Sequence, residues 1–309
     1  MRLFLLFLGL TLSGWGHAQS APGQDIIVNI PLMERAGPHR EYADALLELA
    51  LQSSEDRYGG YEIRQEKGET VIRRQLLGIV RGDSLSVAVS MPSPNWLDNA
   101  RLVRFPIMKG LASYRLFLAH GRNLEVLNHI DDVATLKTFE VGQGEGWSTG
   151  KILEDHGFKV VYGGPYKTLF PMLYADRYQL LMRGVYEIAP ELELYQPRMP
   201  ELEIVDGFAI YTYLPMYFFV SRDQPQLAER LEYGLKKAHA SGQLDALFMH
   251  YFSDTLALLN LGQRRIFCLP NTNIDSSFYE NDKPYLLEAI NTVEAESCPS
   301  APVLREGSL

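Results

Sequence analysis

Thr138-Phe139-Glu140-Val141-Gly142-Gln143-Gly144-Glu145-Gly146-Trp147-Ser148-Thr149 is the stretch on which the fold turns, because its periodicity changes within a few residues. Thr138 to Val141 reads as a strand, and the glycine run from Gly142 to Gly146 breaks it into a turn. A helix follows from about Ser148 to His156, stopped by Gly157 in the position where helices turn left-handed. Strand, glycine turn and helix in this order leave unpaired backbone N–H groups and the hydroxyls of Ser148 and Thr149 at the helix start. That is a seat for a carboxylate or other anion, with Trp147 placed to stack on it. The alternative is a plain tight turn with Ser148 as its cap, and the spacing alone leaves both open.

Two enzymatic readings of the glycines fail on the residues. A dinucleotide fingerprint needs a glycine three positions after Gly144, where Trp147 stands. A phosphate-binding loop ending in Gly150-Lys151 needs a glycine at Glu145 and a hydroxyl at Ile152.

Outward from this stretch the same alternation continues. Upstream, Ile26 to Ile30, Tyr61 to Arg64, Leu85 to Val89 and Tyr114 to Leu118 read as strands. Helical spacing runs through Tyr42, Ala45, Leu46, Leu49 and Ala50, and again through Ile72, Leu76 and Ile79. Downstream, Lys159 to Tyr162 and Tyr178 to Met182 are strands around a helix from Thr168 to Ala175. Phe208 to Val220 is an aromatic strand interrupted by Pro215. Two helices carry Leu227, Leu231, Leu235 and Ala238, then Leu244, Leu247, Phe248 and Tyr251, and one further short helix is expected around Tyr285 to Ile290. The pattern predicts an α/β architecture with helix-covered sheets.

Arg2, the apolar run Leu3 to Leu12 and the small-residue stretch Ser13 to Ala18 have the layout of a secretory signal peptide, residues 1–18, cleaved after Ala18. The run is too short to cross a hydrocarbon core, which takes about 20 residues. The remaining length suits two lobes, each with its own core. A net charge of −9 argues against a nucleic-acid partner and against docking on an anionic membrane. The two cysteines, Cys268 and Cys298, are expected to form a disulfide in an oxidising compartment. Closing a loop of about 30 residues would stabilise by roughly 3–4 kcal/mol in the chain-entropy model.

Catalytic arrangements are sparse. The seven histidines are scattered, with no HExxH spacing, so no metal or other cofactor is expected, and no GxSxG elbow occurs. The carboxylate pairs Asp131-Asp132 and Glu191/Glu193 read as solvated surface. Arg183 directly follows the apolar strand Leu180-Leu181-Met182, and ligands of open α/β sheets collect at such strand ends. A surface salt bridge to Glu187, one helical turn on, is the competing reading.

The order of these features resembles the family 3 extracellular solute-binding proteins, over nearly the whole mature chain. The resemblance rests on Tyr114-Arg115-Leu116-Phe117-Leu118, on Val141-Gly142-Gln143-Gly144, and on Tyr213-Leu214-Pro215-Met216-Tyr217-Phe218-Phe219-Val220. Arg104-Phe105-Pro106-Ile107-Met108-Lys109-Gly110 and Met182-Arg183-Gly184-Val185-Tyr186-Glu187-Ile188 look like a Gram-negative branch of it. The resemblance implies the type 2 periplasmic binding protein fold, with two α/β lobes joined by a two-crossover hinge near Ala119 to Asn123 and Phe208 to Tyr213. Lobe one would take residues 22–119 and 214–309, and lobe two 120–213.

It further implies a periplasmic binding protein that closes on a small-molecule ligand between the lobes, works as a monomer and serves an inner-membrane permease or sensor. Site candidates are Gln143, Gly144, Trp147, Ser148, Thr149, Arg183 and Glu187 in lobe two. Met33, Ser90 and Ser93 join them in lobe one through their positions at strand ends. Amino-acid binders of the family usually carry an arginine shortly after a Thr/Ser-rich loop and an aspartate after the strand matching Tyr178 to Met182. Here the loop Ser90 to Pro94 runs into Asn95 and Trp96, the first arginine is Arg101, and the aspartate is replaced by Arg183. A free cation there predicts an anionic or polar ligand. The runner-up is a dehydratase-like enzyme resembling the cyclohexadienyl dehydratases, with Glu187 or Glu34 moving the proton.

Overall fold

The computed structural model describes residues 25–33, 38–70, 72–82 and 84–288. The signal-peptide stretch, Glu34 and Cys298 lie outside these residues, so the expected disulfide does too.

The first group of elements is β1 (Ile26–Met33), α1 (Pro38–Ser53), the one-turn α2 (Glu55–Tyr58), β2 (Tyr61–Thr70), α3 (Ile72–Arg81), β3 (Val87–Ser90), α4 (Pro94–Asn99) and β4 (Arg101–Leu102). The middle group is β5 (Tyr114–His120), α5 (Leu124–Asn128), α6 (Val133–Leu136), β6 (Glu140–Gly144), α7 (Ser148–Asp155), β7 (Lys159–Gly163), α8 (Tyr166–Tyr174), β8 (Leu180–Gly184), α9 (Val185–Tyr195), β9 (Leu202–Ile204) and β10 (Phe208–Tyr211). The chain then adds β11 (Tyr217–Val220), α10 (Pro225–Ala240), α11 (Gln243–Leu259), β12 (Arg265–Cys268) and α12 (Ser277–Asp282).

These strands build two sheet systems. In the smaller, β1 and β2 pair in parallel, and β11 lies antiparallel between β3 and β4. Asn29 and Ser86 tie the two parts together: the Ser86 amide donates to the Asn29 carbonyl at 2.8 Å, and the Asn29 amide to Ser86 Oγ at 3.0 Å. Helix α1 buries Tyr42, Leu46, Leu47, Ala50 and Leu51, a stripe at helical spacing, and packs on α10 and α11, with Gly234 against Ala50 and Phe248 and Phe252 against Tyr42.

The larger sheet has seven strands in the order β12-β10-β5-β8-β6-β7, with β9 also on β5. Strands β6, β7 and β8 run parallel, and β5 is antiparallel to β8, β9 and β10. Every residue of β5, β8, β10 and β11 is buried, which is why these segments are almost continuously apolar and do not alternate.

Two segments expected in lobe one, Tyr114 to Ala119 and Arg265 to Cys268, pair with strands of the larger sheet. Beyond β12 the chain returns to the smaller system, where the Asp282 carboxylate accepts hydrogen bonds from the Tyr213 hydroxyl at 2.6 Å and from the Tyr217 hydroxyl. The strand expected over Thr138 to Val141 also moves, because Gly142, Gln143 and Gly144 belong to β6. A Cβ at Gly142 would land in the Tyr178 ring, and one at Gly144 against the Trp147 indole. Both glycines are therefore close-approach residues within a strand, and the turn falls at Glu145 and Gly146, where φ is +76°.

Candidate functional site

The parallel strands β6 and β8 end side by side, at Gly144 and Gly184, and the helices α7, α8 and α9 begin around these ends. Open α/β sheets collect ligands in such a place. Arg183, the penultimate residue of β8, is the centre of the arrangement and is 5% exposed. Its Nε and Nη2 donate to Glu191 Oε2 and Oε1, both at 2.6 Å, in a bidentate fork. Glu187 Oε1 stands 3.0 Å from the same Nη2. The flat guanidinium lies over two rings, 4.5 Å from the centroid of Trp147 and 5.4 Å from that of Tyr166. The Tyr166 hydroxyl donates to Glu191 as well.

The expected free cation is thus already paired. The sequence hides this because Glu191 looks like its neighbour Glu193, yet helix α9 turns Glu191 inward beside Glu187 at i,i+4 spacing and leaves Glu193 exposed. Burial opposes the charge of Arg183, but Glu187 and Glu191 outweigh it and hold its pKa above the ordinary value. Burial likewise disfavours the Glu187 carboxylate, while Arg183, Arg115 and His39 together hold its pKa below the usual range.

A second arginine, Arg115 on β5, lies behind Glu187, with Nη2 3.8 Å from Glu187 Oε2. Glu187 Oε2 also accepts from the Gly184 amide at 2.9 Å, closing the first turn of α9. Arg115 is 3% exposed, and its Nε is buried without a hydrogen-bond partner among the described residues. His39, from the first turn of α1, packs its ring 5.2 Å from that of Tyr186. His39 Nδ1 is also buried without a hydrogen-bond partner among the described residues. Burial pushes the His39 pKa down, Glu187 opposing and Arg183 and Arg40 adding to the fall.

The remaining candidates divide. Ser148 and Trp147 stand at the start of α7, where Ser148 Oγ meets Met91 Sδ at 3.5 Å, so the loop after β3 touches the large-sheet side. Gln143 and Thr149 are buried and bonded to each other, Thr149 Oγ1 donating to Gln143 Oε1 at 2.6 Å, so their polar groups support the strand end from within. Ser90 Oγ donates to the Met91 carbonyl at 3.1 Å, and Ser93 is the residue before α4 and makes no side-chain cap bond. Met33 is the last residue of β1. Trp96, after the loop Ser90 to Pro94, is a core residue packed 5.0 Å from the Phe219 ring. His39, Arg115, Tyr166, Tyr186 and Glu191 are the site residues that pattern reading did not find. They come from four separate elements, and only the fold brings them together.

No family model matches the sequence, and no curated protein matches it. Solved structures match it in shape. An ancestral arginine-binding protein bound to arginine has a TM-score of 0.52 at 14% identity, over 75% of this chain and 99% of that one. An arginine-specific periplasmic binding protein of Salmonella typhimurium has a TM-score of 0.53 at 14% identity, over 73% and 99%. An ancestral amino-acid-binding protein, a precursor of cyclohexadienyl dehydratase, has a TM-score of 0.52 at 13% identity, over 73% and 95%. Identities this low speak for the fold, and the fold is the type 2 periplasmic binding protein fold.

Proposed function

We propose that this chain is an exported solute-binding protein that closes on a small polar or anionic molecule and presents it to an importer or a membrane sensor. The observation that carries the reading is the pair of buried nitrogens Arg115 Nε and His39 Nδ1, which have no hydrogen-bond partner among the described residues, lie on β5 and α1, and both belong to side chains that interact with Glu187. Buried polar groups in folded proteins nearly always have partners. Two left open at one junction suit a ligand oxygen. The ends of parallel strands, the loop contact between Met91 and Ser148, and the fold shared with an arginine-binding and a periplasmic binding protein support the same conclusion.

Strands β5 and β10 are neighbours in the large sheet, Ile210 pairing with Arg115 and Tyr211 with Tyr114, and each lies next in sequence to segments of the smaller system. These strands are the proposed hinge. Because Arg183 has its own carboxylates, the seat for a ligand oxygen moves from Arg183 to Arg115 and His39. Catalysis by Glu187 is disfavoured on the same grounds: a carboxyl held ionised by two guanidinium groups is a poor proton donor.

The test is a thermal-shift panel of amino acids, small carboxylates and sugars at large excess. A ligand at a hundred times its Kd stabilises by about 2.7 kcal/mol, a rise of several degrees for a protein of this size. The hit should lose its effect in Arg115→Gln. A panel without any stabilising solute would overturn the proposal.

A further inference from the structure

Arg183 is held the way a bound guanidinium ligand would be. Its edge is forked by Glu191, its faces lie over Trp147 and Tyr166, and Glu187 adds a second carboxylate at 3.0 Å. Planar fork, aromatic faces and charge are the three features by which a protein recognises a guanidinium and tells it from an ammonium. The partners come from three helices, with Trp147 and Tyr166 at the starts of α7 and α8 and Glu191 in the second turn of α9. Their rings are 6.4 Å apart, centroid to centroid. The cradle sits at the strand ends that the proposed function assigns to the ligand.

We infer that Arg183 is a specificity-determining residue: it fills a guanidinium cradle made by Trp147, Tyr166 and Glu191 with the chain's own side chain. The site therefore refuses solutes that carry a guanidinium or ammonium group toward this lobe. Without the Arg183 side chain, the same cradle becomes a seat for a free guanidinium. This inference rests on the proposed solute-binding function for its meaning, while the cradle itself can be tested alone.

The experiment compares wild type, Arg183→Ala and the double variant Arg183→Ala/Glu191→Gln by thermal unfolding. Each is measured with millimolar methylguanidinium chloride and, at equal ionic strength, with methylammonium chloride or sodium chloride. Arg183→Ala leaves two carboxylates uncompensated and should melt below wild type. Methylguanidinium should raise its Tm by about 4 °C or more at saturation, whereas methylammonium and sodium should not. The double variant and the wild type should show no selective response, and free arginine should not bind the wild type.

Where Arg183→Ala is recovered only with methylguanidinium present during refolding, that recovery is itself the expected result. If the variant does not fold under either condition, Arg183→Gln is measured in its place with the same expectation. Equal shifts with sodium and methylguanidinium, no response from either Arg183 variant, or arginine binding by the wild type would each overturn the inference. A selective response in the variant, together with an empty solute panel for the wild type, would sink the solute-binding function and leave the cradle standing. A solute hit with no guanidinium response would do the reverse.

Discussion

Glu191→Gln against Glu193→Gln is the sharpest separation of structure from composition in this molecule. The two glutamates lie two residues apart in one acidic stretch, yet one carries the fork to Arg183 and the other faces solvent. Each of the two 2.6 Å contacts is a charge-assisted hydrogen bond, worth about 1.5–3 kcal/mol where a neutral one gives about 1. Glutamine keeps one acceptor oxygen and turns an NH2 group toward the other Arg183 donor. Glu187 still stands 3.0 Å from Nη2, so the guanidinium keeps a counter-ion. The loss should therefore stay below the roughly 3–5 kcal/mol seen when a buried charge loses its only partner. We expect about 2–3 kcal/mol, a fall in Tm of about 4–12 °C for a chain of this size. Glu193→Gln should stay within about 0.5 kcal/mol of wild type. Differential scanning calorimetry of the three proteins decides it. If the two substitutions behave alike, the account of the Arg183 environment is wrong.

Two further outcomes follow from the same region. The His39 pKa lies below its ordinary 6.5 in the folded protein, so the neutral ring is the form that folding favours. The matching stability is fully present above about pH 6.5 and declines as pH falls below it, because the unfolded chain takes up its proton first. Tm measured from pH 7.5 to pH 5 should fall less steeply in His39→Gln than in wild type, and parallel curves would count against a buried His39. Gly142→Ala puts a methyl group into the Tyr178 ring, whose hydroxyl is pinned to the Leu169 carbonyl at 2.5 Å. Overpacking should cost about 1–3 kcal/mol, read as a lower denaturation midpoint, and an unchanged midpoint would mean that the ring is free to move.

Much of the fold was legible because its signals are local. Buried strands such as Tyr114 to Leu118 read as apolar runs, α10 and α11 follow the helical period on either side of Gly242, and Gly157 ends α7 at φ +78°. What failed was long-range. Glycine suggests a turn at 142 to 144 because its usual meaning in sequence is conformational, whereas here it makes room for the Tyr178 ring from a distant segment and for the Trp147 ring that folds back from the following turn. The return of the chain to the large sheet at β12 left no periodic trace in a four-residue strand. In the site, its place at a strand end marks Arg183, but its partner Glu191 reads like the solvated acids around it. Sequence spacing can say which residues share a helix face, and only the neighbouring strand says which face is covered. Arg115 and His39 carried no local signal, since the former reads as part of an apolar strand and the latter as a polar loop residue.

The bare strand at Gly142 and Gly144 has a consequence for how this protein can change by descent. Two of its five positions contribute no surface of their own, and the wall they form is made of rings owned by Tyr178 and Trp147. Drift at 142 or 144 has no small steps available, because the least side chain beyond hydrogen already collides. Variation that reshapes this wall gradually has to enter through the ring positions, and any lineage that loses one of the rings frees the glycine behind it. The evolvable part of this wall is thus held at residues outside the strand whose surface they define.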